Sequence, residues 1–314
     1  MIVYLARRLT QSVFLFWVVT VVTFVIIRMA PGGPAILANP DLSKEQMQTL
    51  TEGLGLADPL HVQYLRWLGG VLRGDFGTSF NEGVPVMSLI AERLPNTLML
   101  GAAALVIAVV LGMGLGILAA RKRNSWVDTT ASTVGVLNLS IPAFWLGIVL
   151  ILVFAVYLKW LPVSGMPRGR NWGLWQLAQH LVLPSIVAGG FLMANVMRYT
   201  RSSMLEVSEL LYVTTARAKG IKEHRILLIH ILKNAMLPVI TVIGLGLPQL
   251  FAGAAITETV FAWPGIGSLG VNAARTGDFP TIMGITLVVS AVVILANLLT
   301  DLSYTFFDPR VRLS

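Results

Sequence analysis

Charged residues are distributed very unevenly along this chain, and the intervals that lack them predict its architecture. Six stretches without Asp, Glu, Lys or Arg are long enough to cross a bilayer: 9–27, 94–120, 129–158, 171–197, 234–257 and 279–300. A spanning helix needs about 20 apolar residues, because each residue rises about 1.5 Å across a hydrocarbon layer of about 30 Å. The next stretch, 259–274, contains Pro264 and three glycines, which end a helix before it can span. The pattern therefore predicts an all-α integral membrane protein with six transmembrane helices.

Lysine and arginine residues outside these stretches predict the orientation of the helices. One side of the membrane collects most of them, namely Arg7, Arg8, Arg121, Lys122, Arg123, those of the run 198–233, Arg310 and Arg312. The two short loops of the other side offer Lys159, Arg168, Arg170 and Arg275. Short loops rich in Lys and Arg remain in the cytoplasm, so we expect both termini to be cytoplasmic.

Composition agrees with a membrane protein and narrows its chemistry. Hydrophobic residues make up 55% of the 314 residues and charged residues only 12%, about half the charged fraction of a soluble protein. The net charge of +8 would suit nucleic acid, but the charges lie in short clusters between apolar runs, so no nucleic-acid partner is expected. The absence of cysteine excludes disulfides, thiolate nucleophiles and zinc–thiolate sites.

The predicted spans divide the chain into four parts. A cytoplasmic stub and the first helix occupy residues 1–28, and an external segment follows over 29–93. This segment begins with the turn-rich sequence PGGP at 31–34, and Ser43 with Gln46 has the spacing of a capping box. A transmembrane core of five helices covers 94–304, and a cytoplasmic tail covers 305–314.

The cytoplasmic part of the core, residues 198–235, predicts two short amphipathic helices. The stretch LEVSELLYVTTARAKG carries Glu206 and Glu209 in its early turns and Arg217 in a late one, an order that suits a single helix dipole. Gly220 can end this helix in the left-handed conformation, and a second helix runs to Pro238 at the entrance of the fifth span. Such a bent element is shaped to bind a partner protein. A basic loop lying on anionic lipid is the alternative.

Motifs for catalysis, nucleotide phosphates or metals are missing from the sequence. There is no G-x-x-x-x-G-K-[ST] loop for ATP and no nucleophile motif such as G-x-S-x-G, so an enzyme is not expected. The four histidines lack metal-ligand spacing. GIGSLG, 265–270, matches the dinucleotide fingerprint, but no strand precedes it, so we interpret it as a turn-rich external hairpin. We predict no catalytic, cofactor-binding or metal site.

Polar residues within the spans are amides and hydroxyls rather than ionisable groups. Asn138, Gln249 and Thr257 are examples, and either hydrogen bonds between helices or contacts with a solute would account for them. Proton- and ion-driven carriers hold ionisable residues in their spans, so that mechanism is disfavoured. Gly112 and Gly116 form a G-x-x-x-G face on which a second helix can pack closely.

The cytoplasmic segment YVTTARAKGIKEHRILLIHILKNAMLPVIT resembles the coupling loop of binding-protein-dependent ABC importer permeases. It is most similar to the dipeptide, oligopeptide and nickel subfamily, and to its first, dipeptide-permease-B-like subunit. Of the general loop pattern, Ala216, Gly220 and Leu232 match, whereas Thr214 and Thr215 replace its first two residues. Further blocks extend the resemblance over nearly the whole chain: YLARRL, MAPGGPA, GLADPLHVQYLRWLGGVLRGDFGTS, RLPNTLMLG, ETVFAWPGIG, DFPTIMG and DPRVR.

The resemblance implies a type I ABC importer permease fold in the cell (inner or plasma) membrane of a prokaryote. It implies four protein partners besides membrane lipid: a second homologous permease that forms a heterodimer, two ABC ATPase subunits that bind ATP and Mg²⁺, and an external substrate-binding protein. The residues assigned to ATPase coupling are Thr214, Thr215, Ala216, Arg217, Lys219 and Gly220. An external gate or binding-protein contact is assigned to Glu258, Trp263, Pro264 and Gly265.

The resemblance leaves the transported substrate open. Di- or oligopeptides are expected, and nickel complexes, glutathione, oligosaccharides or another small solute carried by the same machinery are alternatives. Two more distant alternatives do not use this machinery for import. One is an ATP-independent channel or secondary carrier, and the other is a membrane scaffold that only tethers ATPases.

Overall fold

The structure is a computed structural model that describes residues 2–29, 43, 46, 48, 49, 53, 55, 57–167 and 173–307, without the side chains of 2–5, 252 and 302–307. The predicted turn at 31–34, Arg168, Arg170, Arg310, Arg312 and the block DPRVR lie outside the described residues. We number the helices α1 (Ile2–Met29), α2 (Leu60–Leu72), α3 (Val86–Arg121), α4 (Trp126–Ser140), α5 (Ala143–Tyr157), α6 (Leu174–Ser208), α7 (Leu211–Ala218), α8 (Lys233–Val260), α9 (Ile266–Thr276) and α10 (Phe279–Phe307).

Five continuous helical stretches within the described residues are long and apolar enough to cross a membrane. They are 6–29, 86–121, 174–208, 223–251 and 279–301. The sixth span is the pair α4 and α5, which are bent by 112° where they meet. The predicted all-α membrane protein is confirmed, and the predicted number of six spans is reached when the bent pair is counted as one span. The expectation of a single unbroken helix over 129–158 was wrong.

The break in the third span has a local cause at Ile141 and Pro142. A residue before proline avoids the helical region, and Ile141 is extended with φ −85° and ψ 127°. Its N–H makes the last bond of α4, to the carbonyl of Leu137 at 3.0 Å. Counting uncharged residues cannot detect such a bend, because proline is as uncharged as its neighbours.

Helices α6 and α8 extend beyond the charged residues that we used as the limits of the predicted spans. Helix α6 continues to Ser208, so Glu206 lies in its last turn and Glu209 is its C-cap, and α7 begins only at Leu211. The predicted single helix with both glutamates in its first turns was therefore wrong. The predicted end of a separate helix at Pro238 was also wrong. Residues 223–232 lead into α8 without a break, and Pro238 and Pro248 lie inside α8.

The chain divides into two compact units, and the first contains residues up to Thr97 together with Pro264–Leu295. The Asp278 side chain joins the segment that contains Ser79 and Phe80 to the start of α10. Its buried carboxylate accepts hydrogen bonds from the Ser79 hydroxyl at 2.5 Å, the Thr281 hydroxyl at 2.8 Å and the Phe80 N–H at 3.1 Å. Because Thr281 is three residues beyond Asp278, this carboxylate also caps the start of α10.

Two further predictions concern the first unit. The capping box is confirmed, because the Ser43 hydroxyl accepts from the Gln46 N–H at 3.2 Å and the Gln46 amide oxygen accepts from the Ser43 N–H at 2.9 Å. The hairpin predicted for GIGSLG was wrong, because Gly265 is the N-cap of α9 and the motif enters that helix.

The second unit contains Leu98–Trp263 and the residues from Ala296 onward, and its centre is the close approach of α3 to α6. A Cβ added to Gly112 would lie 2.7 Å from the carbonyl oxygen of Met193, and one added to Gly116 would lie 2.7 Å from that of Met197. The predicted G-x-x-x-G packing face is confirmed. Buried apolar residues of α3, α6 and α8 fill the core beside it.

Candidate functional site

The cytoplasmic element predicted to bind a partner is a compact knob made of α7, the turn at 219–222 and the segment 223–232. The turn closes α7 with two hydrogen bonds, from the Gly220 N–H to the Arg217 carbonyl at 2.9 Å and from the Ile221 N–H to the Ala216 carbonyl at 3.3 Å. Gly220 takes a φ of 74°. This is a Schellman motif with glycine at the left-handed position, as the sequence predicted.

Apolar side chains fix the knob on the ends of the spanning helices. Val213 and Ala216 are buried against Met204 of α6, with Ile226 and Ile231 on the other side of the turn. Arg217 also bridges the turn through an ion pair of 2.8 Å with Glu223, although both side chains are largely exposed. The knob therefore continues the second unit as a packed body rather than a free loop.

Five of the six residues assigned to coupling are exposed in the structure, and one is buried. Thr214, Thr215, Arg217, Lys219 and Gly220 are exposed, whereas Ala216 is only 5% exposed. The Ala216 side chain supports α7 from inside the knob and cannot itself touch a partner in this conformation. The sequence could not reveal this, since the side of α7 that is buried depends on where α7 begins.

The most exposed apolar residue of the knob was missed by the sequence analysis. Leu211, the first residue of α7, is 85% exposed, and it lies on the same side of the helix as Thr214, Thr215 and Ala218. An exposed leucine flanked by small polar residues is suited to insertion in an apolar pocket of a partner. The i, i+3, i+4, i+7 spacing of these four residues would have placed them on one side of the helix, had the start of α7 been known.

A second missed feature is an ion pair that joins α4 to α6. The Asp128 carboxylate accepts from Nε of Arg201 at 2.6 Å and from an Nη of the same residue at 2.8 Å. It also accepts from the Asn124 N–H at 3.0 Å, which holds the turn before α4. Asp128 is 5% exposed, but the Arg201 side chain is 30% exposed, so this bidentate pair is only partly shielded from water.

An open cavity of about 320 Å³ lies on the second unit, where α5 begins beside α6 and α8. Its wall is mostly apolar, with Ala143, Phe191 and Leu192, and it carries the polar side chains of Gln249 and Thr257. Gln249 is exposed on this wall and Thr257 is buried in it. The wall therefore exposes one side-chain amide, that of Gln249, on a mostly apolar surface.

The residues assigned to an external gate lie largely inside the protein. Glu258 and Trp263 are each 0% exposed in the second unit, and Gly265 is buried in the first. In the first unit the Pro264 carbonyl accepts from the Asn96 amide at 2.8 Å. The exposed residue of this turn is Ala262, which the sequence analysis did not single out and which has a φ of 48°. A left-handed alanine costs roughly 1–2 kcal/mol, so the turn holds a strained backbone position.

Within the described part of the chain, no group of three or more His, Asp or Glu side chains could hold a metal ion. His180, for example, contacts the carbonyl of Gly165 through Nδ1 at 2.8 Å. The structure thus contains long apolar helices, a packed knob at the end of α6 and an open cavity wall.

Comparison with known proteins identifies the family to which this chain belongs. The family described as the binding-protein-dependent transport system inner membrane component matches residues 112–313, and its N-terminal family matches residues 1–101. The chain belongs to this family. It is thus a multi-pass inner-membrane permease subunit of an ABC importer, as the resemblance implied.

Relatives of this permease match it over its whole length. The oligopeptide transport system permease protein AppB of Bacillus subtilis (strain 168) is 40% identical, over 99% of this chain and 100% of that protein. The dipeptide transport system permease protein DppB of Escherichia coli (strain K12) is 38% identical, over 99% of both chains.

A solved structure supports the fold of this permease. It is a chain of the inward-facing MetNI methionine ABC transporter, with a TM-score of 0.57 and 20% identity, and the match covers 71% of this permease and 97% of that chain. The predicted type I importer permease fold is confirmed. The charge-based orientation of the termini stays a prediction.

We predict that Asp128→Asn destabilises the permease by on the order of 1–2 kcal/mol, because it leaves the partly shielded Arg201 guanidinium without its carboxylate. Thermal unfolding of the purified assembly measures the loss. The control is Arg123→Gln, which removes an exposed ion pair of 2.9 Å with Glu209, whose side chains are 55% and 68% exposed. That change is expected to cost below about 1 kcal/mol. Equal effects of the two substitutions would contradict the assignment.

Proposed function

We propose that this permease imports di- or oligopeptides together with a second, homologous permease. An external substrate-binding protein delivers the peptide, and two separate ATPase subunits bind ATP and Mg²⁺ and supply the energy. The observation that carries the substrate class is the match, over at least 99% of this chain, to an oligopeptide and a dipeptide permease. The chain itself performs no catalysis in this scheme, since its sequence lacks a phosphate-binding loop.

The chemistry of the open wall supports a peptide as the solute. Peptide backbones present N–H and C=O groups whatever their side chains are, and the Gln249 amide can both donate to and accept from such groups. The apolar surface around Gln249 accommodates varied side chains without selecting among them. Because the wall is open on one side, a second permease is needed to enclose a path, which is why we propose a heterodimer.

The exposed face of the knob supports contact with an ATPase subunit. Coupling requires that the ATPase bind the knob differently in its ATP-bound and ATP-free states, because equal affinity shifts no equilibrium. Leu211, Thr214 and Thr215 provide the contact surface, and Arg217 and Lys219 provide charge at its edge. Gly220 and buried Ala216 fix the shape of the turn that presents them.

The external turn that contains Glu258, Trp263, Pro264 and Gly265 acts in this proposal as part of a gate. Burial means that Glu258 and Trp263 act by holding the turn, with the exposed Ala262 as the point of contact. The Trp263 N–H donates to the Glu258 carbonyl at 2.8 Å and closes the turn. The strain at Ala262 is consistent with a segment that changes conformation during transport.

Leu211→Asp is expected to leave the permease folded in the membrane while separating ATP hydrolysis from uptake. An aspartate at the first residue of α7 is favourable for the helix dipole but opposes insertion in an apolar pocket. The measurement is the ratio of peptide imported to ATP hydrolysed in proteoliposomes, which we expect to fall at least tenfold. Leu72→Asp, at an exposed leucine (79%) at the end of α2, is the control. An unchanged ratio for Leu211→Asp would disprove the contact.

Glu258→Gln is expected to reduce peptide transport about tenfold, because the Glu258 side chain is 0% exposed beside the external turn and an amide cannot accept hydrogen bonds at both of its terminal atoms as a carboxylate does. Amounts of permease and of bound ATPase should not change. The control is Thr259→Val at the neighbouring exposed residue. We would abandon the gate assignment if Glu258→Gln preserved both the transport rate and the affinity for the binding protein.

The substrate class is tested most directly on the substrate-binding protein that this proposal requires. Mass spectrometry of ligand retained by the purified binding protein should detect peptides, and the same peptides should enter proteoliposomes that contain the complete importer. Entry into the proteoliposomes should depend on ATP and on the binding protein. Recovery of glutathione or a nickel complex would favour those alternatives, and flux through this permease without ATPase subunits would contradict the mechanism.

A further inference from the structure

A cavity of about 240 Å³ lies in the first unit, where the first spanning helix ends beside the start of the last one. Ile27 and Arg28 of α1, Trp67 of α2, and Phe279 and Met283 of α10 line it. These residues occupy the last turn of one span and the first turns of another, so the cavity lies at the level of the membrane surface. In the predicted orientation this is the outer surface of the inner membrane.

Arg28 is the unusual member of this lining. Its side chain is half-buried, and its guanidinium lies over the ring of Phe24 at 5.3 Å from the ring centre. Within the described residues, Arg28 takes part in neither an ion pair nor a side-chain hydrogen bond. A partly desolvated cation without an anion is costly, and a guanidinium offers five donors in a planar fork.

The two other charged residues of the cavity already have partners. Arg66 forms an ion pair of 2.7 Å with Asp58. Asp75 accepts a hydrogen bond from the Gly77 N–H at 2.9 Å through one carboxylate oxygen. Arg28 is therefore the charged group in the lining that stands ready for an external anion.

We propose that this cavity binds a membrane phospholipid, with Arg28 holding the phosphodiester. A guanidinium matches two phosphate oxygens with parallel hydrogen bonds. The aromatic and aliphatic wall formed by Trp67, Phe76 and Met283 takes the glycerol and the first methylene groups of an acyl chain. Tryptophan is typical of the headgroup level of membranes. A free phosphate ion fits less well, because most of this wall is apolar and would gain nothing from it.

The test uses the purified importer with all its subunits, stripped of lipid in detergent and titrated with phosphatidylglycerol. Native mass spectrometry counts the bound lipid. Arg28→Gln is expected to weaken the tightest phosphatidylglycerol binding about tenfold, as for the loss of one charge-assisted contact. Arg73→Gln is the matched control, because Arg73 is an exposed arginine at the end of α2 that does not line the cavity.

Two further probes distinguish binding of the whole lipid from binding of its acyl chains or its phosphate alone. Diacylglycerol, which has the same tails without the phosphate, should not compete, and millimolar inorganic phosphate should not displace the lipid. Displacement by phosphate alone would mean a free-anion site and would overturn the proposal. So would equal lipid retention by wild type and Arg28→Gln. If Arg28→Gln fails to assemble, Arg28→Lys decides: it keeps the charge without the planar fork, and wild-type binding by this variant would likewise overturn the proposal.

Discussion

A charged side chain at the centre of a bilayer costs about 2.5–3.5 kcal/mol on insertion scales, and this cost determines where the permease can carry its polar chemistry. The ion pair of Asp128 and Arg201, the carboxylate of Asp278 and the guanidinium of Arg28 all lie near the ends of spanning helices. Each is paired, capped or placed beside a cavity. The apolar interior of the bilayer thus confines these charged groups to the ends of the spanning helices.

The knob shows how the predicted cytoplasmic end of the permease is connected to the spans. Helix α6 provides one wall of the open cavity through Phe191 and Leu192, and it supplies Met204 to the buried core of the knob. A single continuous helix therefore joins the surface proposed to face the solute to the surface proposed to face the ATPase. Because packed cores move as bodies rather than deform gradually, displacement of the knob is carried along α6.

Sequence reasoning predicted the parts of this arrangement that depend on local rules. Bilayer crossing depends on uncharged length, and the Schellman turn depends on Gly220, so both were predictable. The bend at Pro142 was missed because proline was considered only for the stretch 259–274, whereas the six longer stretches were defined by their lack of charge. The pair of Asp128 and Arg201 was missed because its members are 73 positions apart and meet only through the packing of α4 on α6. The burial of Ala216 was missed because the sequence pattern did not show where α7 begins.

The bend at Pro142 and the ion pair of Asp128 with Arg201 give the two halves of the third span, α4 and α5, different attachments to the rest of the second unit. Helix α4 is fastened to α6 by the bidentate pair and by the packing of Gly135 against Met197, so these two helices form one body. Helix α5 begins after Pro142, where the hydrogen-bonded ladder is interrupted, and its first residue, Ala143, lines the open cavity. An interruption in the ladder is the point at which a span can change its angle at least cost. The cavity wall thus combines residues of α6 and α8, which both continue to the knob, with the first residue of α5, which follows a break.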